Sequence, residues 1–302
     1  MRRRRRKPSE AGWAAWGFLL PNLVGFLAFT LLPLVAAFVL AFCEWDLSPD
    51  TLPHFVGAAN FAQLLADRNF WRYLGNTIFL MMGIPLSILG AFLLANLLHL
   101  PLRGISLFRT LLFLPTMCSP VAVYVLWQWI FHYRANEVGL LNSALIKLGV
   151  AHPPDWLGDP LWAKPALILV AVWIAVGGYN CILYLAGLQN LPEDVFEAAE
   201  LDGASGWQML RHITWPLLYP TTFFILIMSI ISGFQGGFTA VYLLTRGGPG
   251  DATTTLIYYI YNNAFSWFRI GYAAAAAVLL FFLVFGFTLL NWRMSRKVVQ
   301  YY

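Results

Sequence analysis

Six stretches of this chain run without a charged residue for at least the roughly 20 positions a helix needs to cross a bilayer. They are Ala11–Cys43, Tyr73–Arg103 (ending before the arginine), Thr110–Tyr133, Pro165–Pro192, His212–Thr245 and Ile270–Trp292. The pattern predicts an all-α integral membrane protein with six transmembrane helices. A seventh charge-free window, Ala252–Phe268, is rich in Thr, Tyr and Asn, as in "TTTLIYYIYNN", and predicts an interfacial or extracytoplasmic helix. The segments near 44–70 and 132–164 are long enough for short extramembrane helices.

Composition agrees. Of the 302 residues, 60% are hydrophobic and 11% charged, where a soluble domain carries about 25% charged residues. The first window is 33 residues long, far beyond the roughly 7–15 of a signal-peptide core, so it is expected to stay attached and span. Net charge is +5, but six cations form one N-terminal run, Arg2–Lys7. Directly before an apolar window, such a run predicts a topology anchor and not a nucleic-acid site.

The cations also set the orientation. With the N-terminus inside, Arg2–Lys7, Arg103, Arg109, Arg211, Arg293, Arg296 and Lys297 fall inside, twelve in all. Arg68, Arg72, Arg134, Lys147, Lys164, Arg246 and Arg269, seven, fall outside and over longer loops. Both termini are then cytoplasmic. The expected organisation is a basic cytoplasmic N-terminus (1–10), a first span and extracytoplasmic loop (11–72), a core (73–292) and a basic tail (293–302).

One cytoplasmic segment, 191–215, is net negative: Glu193, Asp194, Glu197, Glu200 and Asp202 crowd into ten residues. Pro192 suits a first helical position, and Glu193 and Asp194 favour the positive end of a helix dipole. Asp194, Glu197 and Glu200 lie on one side. Gly203 is expected to end the helix in a left-handed turn. A second helical piece, "SGWQMLRHI", leads to Pro216 and Pro220, expected to open the fifth span. Helix, glycine, helix makes a rigid acidic knob suited to docking.

"EAAELDGASGWQMLRHITWPLLYP" resembles the EAA loop of the membrane permeases of binding-protein-dependent ABC importers. That pattern is E-A-A, three residues, G, nine residues, then I-x-L-P. Glu197, Ala198, Ala199, Gly203, Ile213 and Pro216 fall on it, with Trp215 where leucine is usual. Further stretches are similar to the sugar-permease branch, of maltose or glycerol-phosphate type: 55–77, 108–131, "GLLN" (139–142), "LTRGGPGDATTTLIYYIY" (244–261) and "IGYAAAAAVLL" (270–280). "LTRGGPG" resembles the first subunit of the permease pair.

The resemblance implies an ABC importer type I permease fold in a bacterial-type inner membrane, as a multi-pass protein. It implies a heterodimer with a second permease subunit, two ATPase subunits, an extracytoplasmic solute-binding protein and a carbohydrate substrate. ATP and Mg are then expected on the ATPase subunits, with no cofactor on this chain, which has no G-x-x-x-x-G-K-[ST] phosphate loop. The coupling segment implied is Glu197, Ala198, Ala199, Asp202, Gly203, Ala204, Ile213 and Pro216.

Polar residues inside the windows include Asn22, Asn76, Asn96, Gln128, Asn180 and Gln235. Helix–helix hydrogen bonds are the default role for each. Asn180 in "GGYN" and Gln235 in "GFQGGFTAVY", with Thr239 and Tyr242, are the expected substrate pathway, because flanking glycines interrupt a span there. No charged residue lies in any of the six windows. A proton-coupled carrier would place a titratable group there, and an anion permease a cation, so a neutral, hydroxyl-rich solute is favoured over a glycerol phosphate. The acidic loop has no place in an ion-coupled secondary transporter. A lipid enzyme needs convergent acid–base or metal groups, whereas His54, His99, His132, His152 and His212 are scattered and Cys43, Cys118 and Cys181 are isolated. Neither a catalytic nor a metal site is expected.

Overall fold

The computed structural model describes residues 8–46, 52–101, 103–134, 137–235 and 237–299. The basic run Arg2–Lys7 lies outside them. The chain divides into two compact units: residues up to Asp67 with Ile260–Leu279, and Arg68–Tyr259 with Leu280 onward.

In the first unit, α1 (Trp16–Leu40) is an apolar helix long enough to cross a membrane. Its middle widens into a π turn, Leu27–Leu31, closed by the Leu32 N–H donating to the Leu27 carbonyl. Pro33 follows directly. A helical proline cannot donate, and its ring collides with the carbonyl four residues earlier. The wide turn moves that carbonyl aside. Two strands, β1 (Cys43–Glu44) and β2 (His54–Phe55), pair antiparallel, and α2 (Ala59–Ala66) follows. Asn60 of α2 donates to the carbonyls of Ala41 (3.0 Å) and Cys43 (2.8 Å), satisfying the end of the first helix. Ala41, Ala275 and Val278 form the small core of this unit.

The second unit holds the core of the protein. Its first helix, α3 (Arg68–His99), is nearly continuous, with a turn at Met81–Met82. Next come α4 (Ile105–Met117) and α5 (Pro120–Ile130), bent by 99° at Cys118–Ser119. Cys118 and Ser119 are both extended; Ser119 is so because the residue before a proline is pushed out of helical geometry, and Pro120 then starts α5. Two further strands, β3 (Tyr133–Arg134) and β4 (Glu137–Val138), and α6 (Leu140–Lys147) lead to α7 (Pro160–Gln189). Asp159 caps α7, its carboxylate accepting from the Leu161 N–H at 2.8 Å. Ile88, Phe92, Ala95 and Leu98 of α3 pack on Cys181, Tyr184 and Leu188 of α7. Alanines and glycines on these helices let the backbones approach closely, as in membrane bundles generally.

After α7 come α8 (Glu193–Leu201), α9 (Gly206–Leu217) and α10 (Tyr219–Gln235), the last two bent by 66°. The short α11 (Leu256–Tyr261) precedes the terminal α12 (Ile270–Val299).

Set beside the six windows of the sequence, four helices are long and apolar enough to span, and six spans follow if each bent pair is one. The third window is broken because Pro120 stops a helix that hydropathy alone runs through, and the fifth is broken where Pro220 opens α10, as expected of that proline. Several helices also start earlier than their charge-free windows. Arg68, Arg72 and Lys164 sit in the first two turns of helices long enough to span, and Arg109 sits inside α4. Arg109 donates to the Leu98 carbonyl at the end of α3, the favourable place for a cation. The 252–268 window is no span: α11 and the π turn after it cover only Leu256–Ser266. Short helices α2 and α6 do occupy the two long loops.

Candidate functional site

Two places carry the candidate residues, and both lie in the second unit. The first is the acidic knob. Pro192 stands at the N-cap of α8, one position before the first helical residue expected of it. Glu193 and Asp194 fill the first turn. The helix ends in a complete left-handed turn: Gly203 has φ +78°, its N–H reaches the Glu200 carbonyl, and the Ala204 N–H reaches the Ala199 carbonyl, both at 3.0 Å.

Ser205 then opens α9 with a capping box, exchanging bonds with Gln208. A second π turn, Leu210–Thr214, again stands directly before a proline-containing turn, here with Pro216. Pro216 thus lies inside α9, whereas Pro220 lies at the start of α10. Its ring would strike the Pro216 carbonyl in a continuous helix, which accounts for the 66° bend.

Burial divides the knob into an anchor and a face. Ala199 is buried, and Phe196, Ala204 and Ile213 are half-buried. Glu197, Ala198, Asp202 and Gly203 are exposed, as are Leu201 at 89% and Trp207 at 65%. Among the described residues, none of the five carboxylates of the knob has an ion-pair partner. A preorganised turn therefore presents unneutralised acids beside large apolar groups.

The second place is a cavity of about 560 Å³, within the range of small-molecule sites. It lies where two helix breaks meet. One is the α4–α5 bend, contributing Thr116, Cys118 and Tyr124. The other is Gly177–Gly178 within α7, leading to Tyr179 and Asn180. The glycines allow this meeting: a Cβ on Gly178 would lie 2.8 Å from the Thr116 side chain, and one on Gly177 3.0 Å from the Leu112 carbonyl. Ser229 and Ser232 of α10 and Ser87 of α3 add hydroxyls. Among the described residues, none that lines the cavity is charged.

Asn180 is 7% exposed and lines the cavity, and among the described residues its amide has no hydrogen-bond partner. Gln235, Thr239 and Tyr242 lie outside the lining. Gln235 is exposed, and Tyr242 stacks on Phe238 at 5.5 Å. Sequence reasoning missed Thr116, Tyr124, Ser229 and Ser232; for Thr116 the adjoining Pro115 was the available signal. The default helix–helix role also fails for two asparagines. Asn96 turns back to its own helix at Phe92, and Asn76 donates to a loop, at the carbonyls of Asp251 and Thr254.

Residues 56–300 match the family described as binding-protein-dependent transport system inner membrane component, and the chain belongs to that family. It is thus an inner-membrane subunit of a transport system. It is 36% identical to the probable ABC transporter permease protein YesP of Bacillus subtilis, over 98% of this chain and 94% of that one. It is 35% identical to the lactose transport system permease protein LacF of Rhizobium radiobacter, over 93% and 94%. The sn-glycerol-3-phosphate transport system permease protein UgpA of Yersinia pseudotuberculosis is 34% identical, over 97% and 99%. Among solved structures, a chain of a bacterial alginate ABC transporter, in complex with its pentasaccharide-bound periplasmic protein, superposes with TM-score 0.84. It is 25% identical and covers 98% of both chains. The ABC importer fold expected from the sequence is the fold observed.

Proposed function

We propose that this chain is one of two permease subunits of an importer for a neutral mono- or oligosaccharide. A separate binding protein delivers the solute, and a pair of separate ATPase subunits drives transport, with ATP and Mg bound there. In this reading the chain crosses the membrane six times, each bent pair counting once, with both termini in the cytoplasm. The knob then faces the cytoplasm and the loop around residue 250 faces outward.

The knob is the coupling element of this proposal. Glu197 and Asp202 offer carboxylates to an ATPase surface, Gly203 and Ala204 form the turn that lets the knob enter a cleft, and Ala198 leaves room for close approach. Ala199, Ile213 and Pro216 fix the knob to the spans. The observation that carries this role is the set of unpaired acids beside exposed Leu201 and Trp207 on a fully capped turn, a surface suited to docking.

For the solute, the uncharged cavity supports a sugar. Hydroxyls, phenols and the free Asn180 amide match a polyol, while a phosphate dianion there would lose its hydration for no cation, a cost of several kcal/mol. LacF is named for lactose and the alginate transporter for a polysaccharide; UgpA is named for glycerol phosphate and defines the competing reading.

Affinity purification of the tagged chain from its native membrane tests the assembly. A second permease and an ATPase should co-purify in fixed stoichiometry. Recovery of a homodimer with no ATPase contradicts the proposal.

A further inference from the structure

The segment between α10 and α11 holds itself together before it touches anything else. The Thr245 and Thr253 hydroxyls share a 2.6 Å hydrogen bond, Thr253 donates to the Gly248 carbonyl, and Thr254 donates to the Gly247 carbonyl. Gly247, at φ +84°, leaves no room for a Cβ against the Thr254 hydroxyl. Thr253, Thr254 and Thr255 are all buried. Each of these hydroxyls is bonded, so the loop is braced from within.

One face of α3 then grips it. The Asn76 amide nitrogen donates both its hydrogens to the loop, to Asp251 at 3.1 Å and Thr254 at 2.9 Å. The Thr77 hydroxyl accepts from the Leu256 N–H at 2.9 Å, and Arg72 donates to the Gly250 carbonyl at 2.6 Å. The rings of Tyr73 and Tyr259 lie 5.0 Å apart. Thr77 and Thr255 are both part of the cavity lining, so the seam between loop and α3 is also a seam in the cavity wall.

A transporter cavity has to open to its two sides in turn, and some walls must move while others stay. We propose that the 245–256 loop is a fixed outer wall of the cavity and that Asn76 is the positioning residue that holds it on α3. Opening toward the outside then takes place at the helix breaks Cys118–Ser119 and Gly177–Gly178, not by lifting this loop. The proposal rests on the outward orientation of residue 250. That orientation fails separately if a cysteine at Lys147 is labelled only from the cytoplasm.

The decisive experiment uses the assembled transporter in membrane vesicles. Tyr73→Cys and Tyr259→Cys are introduced together and bridged by a short bifunctional thiol reagent, with a monofunctional reagent as control. A fixed wall predicts that bridging leaves uptake at no less than half the control value. If bridging abolishes uptake and the control reagent does not, the loop is a moving gate and the proposal is overturned.

A second arm uses native Cys118, which lines the cavity while Cys43 and Cys181 are buried. Asn76→Ala, and Asn76→Asp, which keeps the shape and loses the donor, should each raise Cys118 labelling by an impermeant outside reagent several-fold at unchanged membrane levels. Exposed Arg72→Ala should raise it less. Asn76→Asp labelling like the wild type would assign the effect to packing and sink the positioning role.

Discussion

Gly271 presses its Cα against the carbonyl oxygen of Cys43, so closely that a Cβ built on the glycine would be driven into that oxygen. The neighbouring Ile270 N–H donates to the Trp45 carbonyl at 3.0 Å, which fixes the start of α12 beside the end of the first span. The Cys43 carbonyl is further held by the buried Asn60 amide, so neither backbone can retreat without breaking a hydrogen bond. Gly271→Ala should therefore destabilise the first unit by about 1–3 kcal/mol or more, the usual cost of overpacking. Gly286→Ala, on the same helix with open space around its Cα, should be neutral or slightly favourable. Thermal denaturation of both variants in detergent checks the contrast.

The knob gives a second contrast. A Cβ on Gly203 meets nothing within 4 Å, so substitution there acts only through φ +78°. Gly203→Val should cost the turn at least 1–2 kcal/mol, while Gly203→Asn, tolerant of left-handed geometry, should cost little. Uptake and ATPase co-purification should fall with valine, persist with asparagine, and weaken with Glu197→Ala at normal membrane levels. Wild-type transport by Gly203→Val removes the coupling assignment.

Asn180→Ala deletes an amide with no internal partner among the described residues, so folding should barely change. A hydrogen bond to solute contributes about 0.5–1.5 kcal/mol net, so uptake should fall several-fold. ATPase co-purification and melting temperature are the controls. Unchanged uptake would place the solute path away from the Gly177–Gly178 break.

How much of this was legible in the sequence depends on the range of each interaction. Gly203 was readable because an acidic helix running into glycine leaves few other ways to end, and the observed left-handed turn is the one expected. The bend at Pro120 was not, because hydropathy averages over prolines, whereas Pro220 was expected to open a helix and does so at the start of α10. Asn76 and Thr254 are 178 positions apart, so no local pattern announces their bond. Asn180 was singled out through its glycines and lines the cavity, whereas Gln235, which also stands beside glycine, lies outside the lining.

Topology has its own test. Single cysteines at Glu137 and Lys147, both exposed, should react with an impermeant thiol reagent added to intact cells. Cysteines at Arg103 and Ser205, also exposed, should react only after the membrane is opened. Labelling of Ser205→Cys from outside means that the inside and outside faces have been exchanged.

The central claim is that the uncharged cavity carries a neutral sugar driven by a separate ATPase. Its most direct test is solute uptake by the purified permease pair, ATPases and binding protein reconstituted in liposomes. The account predicts that a neutral mono- or oligosaccharide is taken up and stimulates ATP hydrolysis, while glycerol phosphate does neither. Uptake of glycerol phosphate but no sugar, lost on replacing the exposed Arg246 with alanine, would contradict the claim.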